Sequence, residues 1–574
     1  MASKRKREPT SLGGNPYPTP ANSPKRREGS STGTTLSNGE FCDITSEHRI
    51  GGPRPLLFLP LISEHPERNL SLGGRPFDRQ LFQPIMIEKL RQYSVAWSFC
   101  DFVHRRPTPD QLTHEDLTLL VVSERSQGWI PALENIREFF VSVGFDNLQV
   151  EFIEPFLYDG PTISRVPSDE RLATAWAKDI LPSIQQRLKY SRWLCVGLVR
   201  RGFGPDPSEH PVTVSITISA EPVDDDWPEK VAAIYEICSK ASHIDMEVDV
   251  GHGSSSRAAI TGTPDEGEIE SSSYDRQLGM GRSMSTEKGA PGTFGGVVEL
   301  FKAGQSRGIY GLTCHHVVGG DRGHDVNEPP QEVMGRRVIS PAVDHHKRST
   351  ASYEEAIANA DDNFRESGEL AHAQAAMTHN NNAFNAYGSF GTVKACSGEG
   401  IDVCFRDTNA RRDWALLNLD PTRRPPTNQL PVGDEVPPGY RLKFQPAHPQ
   451  RHLQGSATWK ILGGDDEYRV FLRGQKTGFT MAERNDYVSA FKFPHEAKLE
   501  GFIGSTEMTF IRRKVAFAER GDSGGFVFNV RGTWLGMLFA RMWRADYSVG
   551  YVENSQHIID DIKRETGSDE VRLP

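Results

Sequence analysis

The pattern of apolar and polar positions divides the chain into a mixed helix and strand region and a strand-rich region. Apolar and polar residues alternate strictly at 212–218, which predicts a half-buried strand. Amphipathic stretches at 130–140 and 169–189 predict helices, and Pro182 should kink or divide the second one. A further helix face is predicted by apolar residues spaced four, three and four apart, namely Trp227, Val231, Ile234 and Cys238. We therefore expect an α+β domain over residues 51–250, for which the sequence indicates no chemistry.

Residues 292–574 predict a different architecture, built from short strands. The apolar runs are separated mostly by Gly, Pro, Asn and Asp, which is typical of an all-β barrel or sandwich. The predicted strands lie at 296–301, 309–314, 414–417, 468–472, 508–515, 526–530, 534–539 and 549–552. A polar, Ala-rich insertion at 353–385 is interpreted as a helix or a disordered loop, and 557–564 as a closing helix that ends at Gly567.

Two segments have the composition of unfolded chain. Residues 1–50 are rich in Ser, Gly, Pro, Asn and Thr, and residues 251–291 form a Gly- and Ser-rich linker. Up to Glu28 the tail holds seven basic and two acidic residues, so it carries +5 while the rest of the chain carries −15. Its basic clusters at 4–7 and 25–27 fit either a nuclear import signal, with an import receptor as partner, or a solvated basic tail.

Composition narrows the class of protein. A net charge of −10 over 574 residues argues against nucleic-acid binding through bulk charge. The seven cysteines include no CxxC pair, which disfavours a disulfide scaffold and a zinc ribbon. No signal peptide follows Met1, and the apolar run at 56–62 is much shorter than the roughly 20 residues of a membrane helix. We therefore expect a soluble intracellular protein, cytoplasmic or nuclear and not secreted, without a membrane partner.

Three short strings in the strand-rich region carry residue types of nucleophilic catalysis. Histidines end an apolar strand at 311–318 (GLTCHHVV), and an acid precedes another strand at 413–417 (DWALL). A serine stands in a glycine-flanked turn at 521–528 (GDSGGFVF). Each string alone also fits a structural turn or a strand end. All three occur in one region in the order His, Asp, Ser, and their joint occurrence favours a catalytic group.

The chemistry of acyl transfer requires these residue types together. A serine hydroxyl is a weak nucleophile at neutral pH and needs a base to accept its proton. Histidine suits this role because its unperturbed pKa is about 6.5. A buried carboxylate holds the imidazole in one tautomer and stabilises the imidazolium. A turn such as 521–523 can direct the N–H groups of Gly521 and Ser523 at one oxyanion.

The combination resembles the trypsin/chymotrypsin-like serine peptidases. The Thr-Cys-His-His string at 313–316, the Asp-Trp-Ala-Leu-Leu string at 413–417 and the Gly-Asp-Ser-Gly-Gly string at 521–525 match the motifs of that family. The resemblance covers about 292–565 and implies a double β-barrel, preceded here by the α+β domain and the tail. It implies a serine endopeptidase without a cofactor, in which His316 is the general base, Asp413 orients it and Ser523 is the nucleophile. The Gly521 and Ser523 amides would form the oxyanion hole, and the substrate would be a protein or peptide.

Some features depart from secreted members of the family. Val317 stands where they often have a cysteine, and no Ile-Val-Gly-Gly-like string precedes residue 292. Asp522 must therefore bind something other than a newly formed N-terminal amine. The arrangement of an extra N-terminal domain before an intracellular barrel is similar to fungal trypsin-like proteins. A catalytically silent barrel that acts as a binding or scaffold module remains the alternative, whereas an ester hydrolase of the G-x-S-x-G type would need a strand–turn–helix setting.

The resemblance also indicates a substrate pocket. Its base would be Phe517, six residues before the nucleophile, and its wall would include Phe539 and Arg541. Because an acid at the base would select Lys or Arg, Phe517 argues against trypsin-like specificity. A metal site at the His345-His346 pair is not expected, since no further ligands lie at suitable spacing.

Overall fold

The structure of the protein is a computed structural model. It describes residues 48–54, 56, 62–64, 66, 70–72, 75–106, 117–204, 206–219, 227–257, 274–287, 290–319, 329–361, 364–365, 367–398, 400–404, 408–425, 427–432, 436–441, 443–444, 454–456, 468–512, 516–544 and 547–574. The expected basic tail lies outside the described residues, apart from 48–50.

The chain forms two compact units whose boundaries differ from the expected domains. One unit comprises residues 1–163 and 200–211, and the other comprises 164–199 and 212–574. Much of the expected α+β domain therefore belongs to the second unit, because its later strands pair into a sheet of that unit.

The first unit is a five-stranded sheet with helices. Its strands are β1 (Arg49–Gly52), β2 (Ile62–Glu64), β3 (Leu70–Leu72), β4 (Arg75–Phe77), β5 (Phe99–Arg106), β6 (Leu117–Val122) and β7 (Gln149–Ile153). Its helices are α1 (Arg79–Gln92), α2 (Trp129–Ser142) and α3 (Pro155–Tyr158), with a short 3₁₀ turn at Pro207–Glu209. The sheet order is β1-β7-β6-β5-β2, and β3 pairs with β4. Helix α2 buries Trp129, Ile136 and Phe140 in the core, which agrees with the helix predicted at 130–140.

The second unit is rich in strands. Strands β8 and β9 cross the unit boundary, and the full set is β8 (Thr162–Ser164), β9 (Trp193–Gly202), β10 (Val212–Ser219), β11 (Glu247–Arg257), β12 (Arg282–Thr286), β13 (Gly292–Phe294), β14 (Gly296–Lys302), β15 (Gln305–Thr313), β16 (Arg337–Ile339), β17 (Ser389–Cys396), β18 (Gly400–Cys404), β19 (Thr408–Arg412), β20 (Ala415–Leu419), β21 (Gln454–Ser456), β22 (Arg469–Gly474), β23 (Gly478–Arg484), β24 (Ser489–Phe491), β25 (Ser505–Arg512), β26 (Phe526–Asn529), β27 (Thr533–Arg544), β28 (Tyr547–Asn554) and β29 (Glu570–Arg572).

These strands form two large sheets. One has eight strands in the order β13-β12-β16-β17-β20-β15-β14-β29. The other has twelve strands along the path β10-β11-β27-β26-β22-β23-β25-β24-β9-β8, with β21 and β28 pairing off this path. The strands predicted at 296–301, 309–314, 526–530 and 549–552 lie in these sheets. The described parts of the chain thus form several sheets with some helices.

Helices of the second unit lie between the strands and at the end of the chain. They are α4 (Glu170–Ala175), a π-helical turn (Trp176–Ile180), α5 (Leu181–Arg187), α6 (Trp227–Ala241), α7 (His315–Gly319), α8 (Pro330–Val333), α9 (Val343–Ala358), α10 (Glu369–Tyr387), α11 (Pro438–Arg441), a 3₁₀ turn (Glu496–Lys498) and α12 (Ser555–Thr566). Of the two interpretations of 353–385, the structure has the helical one. The π-helical turn stands just before Pro182, which lacks the N–H of a regular ladder. Gly567, at a φ of 63°, ends α12.

The expected linker at 251–291 contains two strands. Its beginning, 251–257, forms the end of β11, and its later part includes β12, while 258–273 and 288–289 lie outside the described residues. Ladder pairing uses backbone groups, so a Ser-rich segment can join a sheet when a long-range partner is available. Within the described ranges, no helix has both the length and the apolar character that crossing a membrane requires.

Candidate active site

Strand pairing brings His316 and Asp413 together. Strands β15 and β20 are antiparallel, with Thr313 opposite Ala415. Because paired antiparallel strands run in opposite directions, the end of β15 lies beside the start of β20. His316 follows β15 in the first turn of α7, and Asp413 precedes β20 by two residues.

The His316–Asp413 pair is buried and doubly hydrogen-bonded. The ring Nδ1 of His316 lies 2.5 Å from Asp413 Oδ2, and the His316 backbone amide donates to Oδ1 at 3.0 Å. Burial opposes ionisation of Asp413, but the charge and hydrogen bonds of His316 outweigh it and hold the pKa of the Asp413 carboxyl below its ordinary value. This arrangement directs the second ring nitrogen, Nε2, away from the carboxylate.

A buried carboxylate shapes the turn that carries Ser523. Asp522 Oδ1 accepts from the amides of Lys476 and Thr477 at 2.8 and 3.2 Å, and Oδ2 accepts from the Glu519 amide at 2.8 Å. Burial raises the pKa of Asp522 above its ordinary value despite these donors. The partner that the sequence left open for Asp522 is therefore a set of backbone amides.

The serine and histidine turns meet at the Leu538 carbonyl. It accepts from the Gly524 amide at 2.9 Å and from Cys314 Sγ at 3.3 Å. Ser523 contacts the same strand, β27, since its Oγ donates a hydrogen bond to the Phe539 carbonyl at 3.2 Å. His316 Nε2 is buried and has no hydrogen-bond partner among the described residues. The Ser523–His316 hydrogen bond of an acyl-transfer site is thus not formed in this conformation.

The three side chains are shielded from solvent. Ser523 is 0% exposed, and His316 and Asp413 are each 1% exposed. Among the described hydrogen bonds, neither the Gly521 nor the Ser523 amide is a donor. Both amides of the expected oxyanion hole are therefore uncommitted within the turn.

The residues expected to form a substrate pocket have separate surroundings. Phe517 is buried in an apolar cluster with Phe510, Leu538 and Val552, and a Cβ on Gly550 would lie 2.8 Å from its ring. Phe539 packs edge-to-face on Phe491, whereas the Arg541 guanidinium lies 5.7 Å from the Trp543 ring centroid. Phe517 is thus part of an apolar cluster, whereas Phe539 and Arg541 contact other aromatic rings.

Among the described residues, two groups of side chains are candidates for metal ligands. Cys314, His316 and Asp413 lie close enough to share an ion. Burial, together with the nearby acids Asp413 and Glu553, raises the pKa of the Cys314 thiol well above its ordinary value, so this thiol is protonated when no ion is bound.

At the second location, the expected His345-His346 pair binds different partners. His345 Nδ1 lies 2.7 Å from Ser283 Oγ, and His346 Nδ1 lies 3.1 Å from the Tyr274 hydroxyl. The His346 ring also stacks on Phe384 with 3.7 Å between centroids. Both rings thus have structural contacts of their own.

Two buried acids near the site, Glu553 and Glu507, were not predicted from the sequence. Glu553 Oε2 accepts the Asp413 amide at 3.1 Å, and Glu507 Oε1 accepts the Arg411 amide at 3.0 Å. Burial, with the charge of Asp413, raises the pKa of Glu553 well above its ordinary value. Glu507 lies in β25 and Glu553 in β28, and both strands are buried over most of their length. Only the three-dimensional packing therefore distinguishes these two residues from exposed acids.

Gly524→Ala should destabilise the serine turn. Gly524 has a φ of 95°, and a Cβ there would lie 2.3 Å from the Thr293 carbonyl oxygen and 2.4 Å from Thr313 Oγ1. The expected cost is about 3 kcal/mol or more in the free energy of unfolding, measured by urea titration. Gly279→Ala is the matched control, because a Cβ at that position meets nothing within 4 Å. Equal stability of the two variants would contradict the described turn.

Glu507→Gln should make the protein more stable at high pH. Burial raises the pKa of Glu507 from 4.5 to about 8 in the folded state. The unfolded carboxyl therefore loses its proton at lower pH than the folded one, so stability falls as the pH rises from about 4.5 to 8. The variant should lack this loss, which is of the order of a few kcal/mol. Unfolding at pH 5 and pH 8, with exposed Glu500→Gln as control, measures the difference; equal pH dependence in both variants contradicts the assignment.

Comparisons with known proteins give only weak similarities. No protein-family model matches the chain, and no curated protein matches it. Protease A of Thermobifida fusca is 11% identical, with a TM-score of 0.26, over 52% of this chain and 100% of that one. A glutamic-acid-specific serine protease that uses a histidine triad in substrate binding is 10% identical, with a TM-score of 0.26, over 52% and 100%. A Mycobacterium tuberculosis protease in its active form is 12% identical, with a TM-score of 0.21, over 54% and 95%. At these TM-scores the likeness assigns neither fold nor activity, so the interpretation depends on the chain's own residues.

Proposed function

We propose that the protein is a serine endopeptidase with a trypsin-like double β-barrel, in which His316, Asp413 and Ser523 form the catalytic triad. The observation that supports it most directly is the buried His316–Asp413 pair, whose second ring nitrogen has no protein partner among the described residues. Ser523 stands in an adjoining turn that meets the histidine turn at the Leu538 carbonyl. The chemistry that needs this set of groups is acyl transfer.

In the proposed acylation step, Ser523 Oγ turns from the Phe539 carbonyl toward His316 Nε2. The hydroxyl attacks the substrate carbonyl carbon while Nε2 accepts its proton, and Asp413 stabilises the imidazolium. The Gly521 and Ser523 amides would donate to the oxyanion. Collapse breaks the C–N bond, the proton on Nε2 passes to the leaving amine, and an ester to Ser523 remains.

The second half of the reaction uses the same groups with water as nucleophile. His316 takes a proton from water, which attacks the ester carbonyl of the acyl-enzyme. The tetrahedral intermediate then breaks the C–O bond, and the proton returns to Ser523 Oγ. The products are a carboxylic acid and a free enzyme, so that no cofactor is required.

The hydrogen bonds of Asp522 indicate whether the proposed enzyme needs proteolytic activation. Asp522 accepts three backbone amides from Glu519, Lys476 and Thr477. A newly formed N-terminal amine is therefore not needed to hold this carboxylate. We infer that the turn forms on folding, without proteolytic activation.

The proposed specificity excludes basic side chains. Phe517 is buried at the position that the family uses as the base of the primary pocket, and its ring approaches Gly550. An uncharged, filled pocket base disfavours Lys and Arg in the substrate. Phe539 and Arg541 would contribute the pocket wall.

A silent binding module is the second candidate function. It is favoured by the Ser523 Oγ bond to the Phe539 carbonyl and by the burial of the three side chains. Such a protein would bind a peptide or another protein through the same unit without hydrolysing it.

A fluorophosphonate probe tests the proposed function. The folded protein should be labelled at Ser523, as located by peptide mapping, because only an activated serine attacks the probe. Ser523→Ala and heat-denatured protein should remain unlabelled. Labelling spread over several serines, or absent after prolonged incubation with folded protein, would favour the silent module.

The location of the protein is a separate proposal. The basic clusters at 4–7 and 25–27 suit recognition by a nuclear import receptor, which would make the protein intracellular and at least partly nuclear. Deleting residues 1–28 from a fluorescently tagged protein should then shift it to the cytoplasm. An unchanged distribution would contradict this role for the clusters.

A further inference from the structure

We propose that residues 253–257 of the chain occupy the strand edge on which a substrate peptide would bind, and thereby keep the active site closed. This inference rests on the proposed peptidase function for its consequence. The occupancy itself rests on strand pairing, direction and burial within the second unit. Residues 253–257 are called the inner strand below.

The inner strand is the second half of β11. The first half, up to Gly253, pairs in parallel with β10 over Thr213–Ser219. From Gly253 to Arg257 the strand instead pairs antiparallel with β27, so that Gly253 lies opposite Arg544 and Arg257 opposite Ala540. The other edge of the same β27 residues pairs with β28, with Ala540 opposite Tyr551. The inner strand thus fills the second edge of β27 at 540–544.

That edge begins at the proposed nucleophile. The residue before Ala540 is Phe539, whose carbonyl accepts the Ser523 hydroxyl at 3.2 Å. Because the inner strand is antiparallel to β27, it runs toward this end of the edge and reaches it at Arg257. An extended peptide that adds to this edge in the same direction would bring a following carbonyl to Ser523. The inner strand therefore runs in the same N-to-C direction as the part of a peptide substrate that precedes the cleaved bond.

Side-chain contacts hold the inner strand in place. Ser255 is buried, and its Oγ donates to the Lys492 carbonyl at 2.9 Å. The Arg257 guanidinium lies 5.3 Å from the centroid of the Phe493 ring. These contacts fix the inner strand to residues 492 and 493 as well as to β27. Ser523, His316 and Asp413 are all buried, as a closed site requires.

The first half of β11 has its own anchor. Asp249 accepts a hydrogen bond from Arg544 at 2.7 Å, and both side chains are buried. Buried pairs of this kind are strongly destabilised when one partner is lost. After release of residues 253–257, the first half of β11 would still be held by this pair to Arg544 of β27 and by its backbone ladder to β10.

Two successive prolines test the occupancy. In an antiparallel ladder, every second residue donates its N–H to a given neighbouring strand. Of two consecutive residues, one must therefore donate to β27. The double variant Ser254→Pro/Ser255→Pro removes that donor, because proline has no N–H. Ser254→Ala is the control, because Ser254 is exposed and keeps its amide. Circular dichroism and thermal unfolding establish that each variant is folded.

The first readout is binding and does not need catalysis. In a Ser523→Ala background, a fluorescent, acetylated and amidated peptide with the sequence of residues 252–257 should bind the diproline variant at least about tenfold more tightly than the parent, since a tethered competitor is removed. The alanine control should bind like the parent. Equal binding by a folded diproline variant would overturn the inference.

The second readout uses the unaltered protein, so it tests the inference even if the diproline variant does not fold. Excess free peptide should accelerate amide hydrogen exchange in 253–257 but not in 247–251, because it replaces only the inner strand. An exchange rate that does not respond at millimolar peptide would overturn the occupancy.

Hydrolysis separates this inference from the proposed function. A peptidase released from its inner strand should show at least a tenfold higher kcat/KM on an extended peptide amide in the diproline variant. Peptide binding without hydrolysis in any variant keeps the occupancy and rejects the peptidase. Equal hydrolysis by parent and diproline variant, without a gain in binding, keeps the peptidase and rejects the occupancy.

Discussion

Alanine at Ser523 or at His316 should each lower the rate of peptide hydrolysis by about 10⁶-fold. Ser523 would supply the atom that forms the acyl bond, and His316 would supply the base, since its Nε2 is buried and has no hydrogen-bond partner among the described residues. Because the two side chains would act in the same proton transfer, their losses should not add. The double variant should therefore be no slower than either single variant. Initial rates on a fluorogenic peptide measure these ratios, at enzyme concentrations where the enzymatic rate far exceeds the uncatalysed background rate.

Matched controls separate a catalytic loss from a structural one. Ser340 is a buried serine whose Oγ donates to the Ser283 carbonyl at 2.7 Å, and His345 is a buried histidine that contacts Ser283 Oγ. Ser340→Ala and His345→Ala remove similar side chains from the same unit and should retain most of the activity. Losses of equal size in the control variants, or additive losses at 523 and 316, would contradict the triad.

Local sequence patterns predicted the helices and the short strands well. The apolar face of α6 consists of the four residues that the spacing predicted, since Trp227, Val231, Ile234 and Cys238 are all buried. Pro182 divides the predicted helix at 169–189 through a π-helical turn. In both places the rule concerns residues within a single helix, so the local sequence is enough to apply it.

The candidate site could be predicted in part because its strings stand at strand ends. Once β15 pairs with β20, a histidine just after one and an acid just before the other must meet, as His316 and Asp413 do. The partners of Asp522 could not be predicted, because they are backbone amides that any residue type supplies. Glu553 and Glu507 could not be predicted for the same reason, since each accepts a backbone amide from a distant part of the chain.

The largest difference from the expectation concerns the segment at 251–257. Its Gly- and Ser-rich composition is typical of a linker, yet its backbone pairs with β27, almost 290 residues later in the chain. Strand propensity reflects packing against neighbours, and those neighbours are not adjacent in the sequence. The same long-range pairing places β10 and β11 in the second unit rather than in the expected α+β domain.

Asp413→Asn should lower kcat by about 10⁴-fold while the protein remains folded. The carboxylate accepts from the His316 amide through Oδ1 and from the ring through Oδ2, so a carboxamide must replace one acceptor by an NH₂ donor. If the NH₂ group meets Nδ1, the ring carries its proton on Nε2 and cannot accept one from Ser523.

The control for this charge change is Asp560→Asn on the exposed face of α12, which should keep full activity. Thermal unfolding of the Asp413→Asn protein should show that the loss is in kcat and not in the amount of folded enzyme. Asp413→Ala leaves a cavity and removes the acceptor of the buried His316 amide and ring nitrogen, so it should lower stability as well as activity. A tenfold or smaller loss in Asp413→Asn would mean that His316 is held in its tautomer by some other group, and would contradict the role assigned to Asp413.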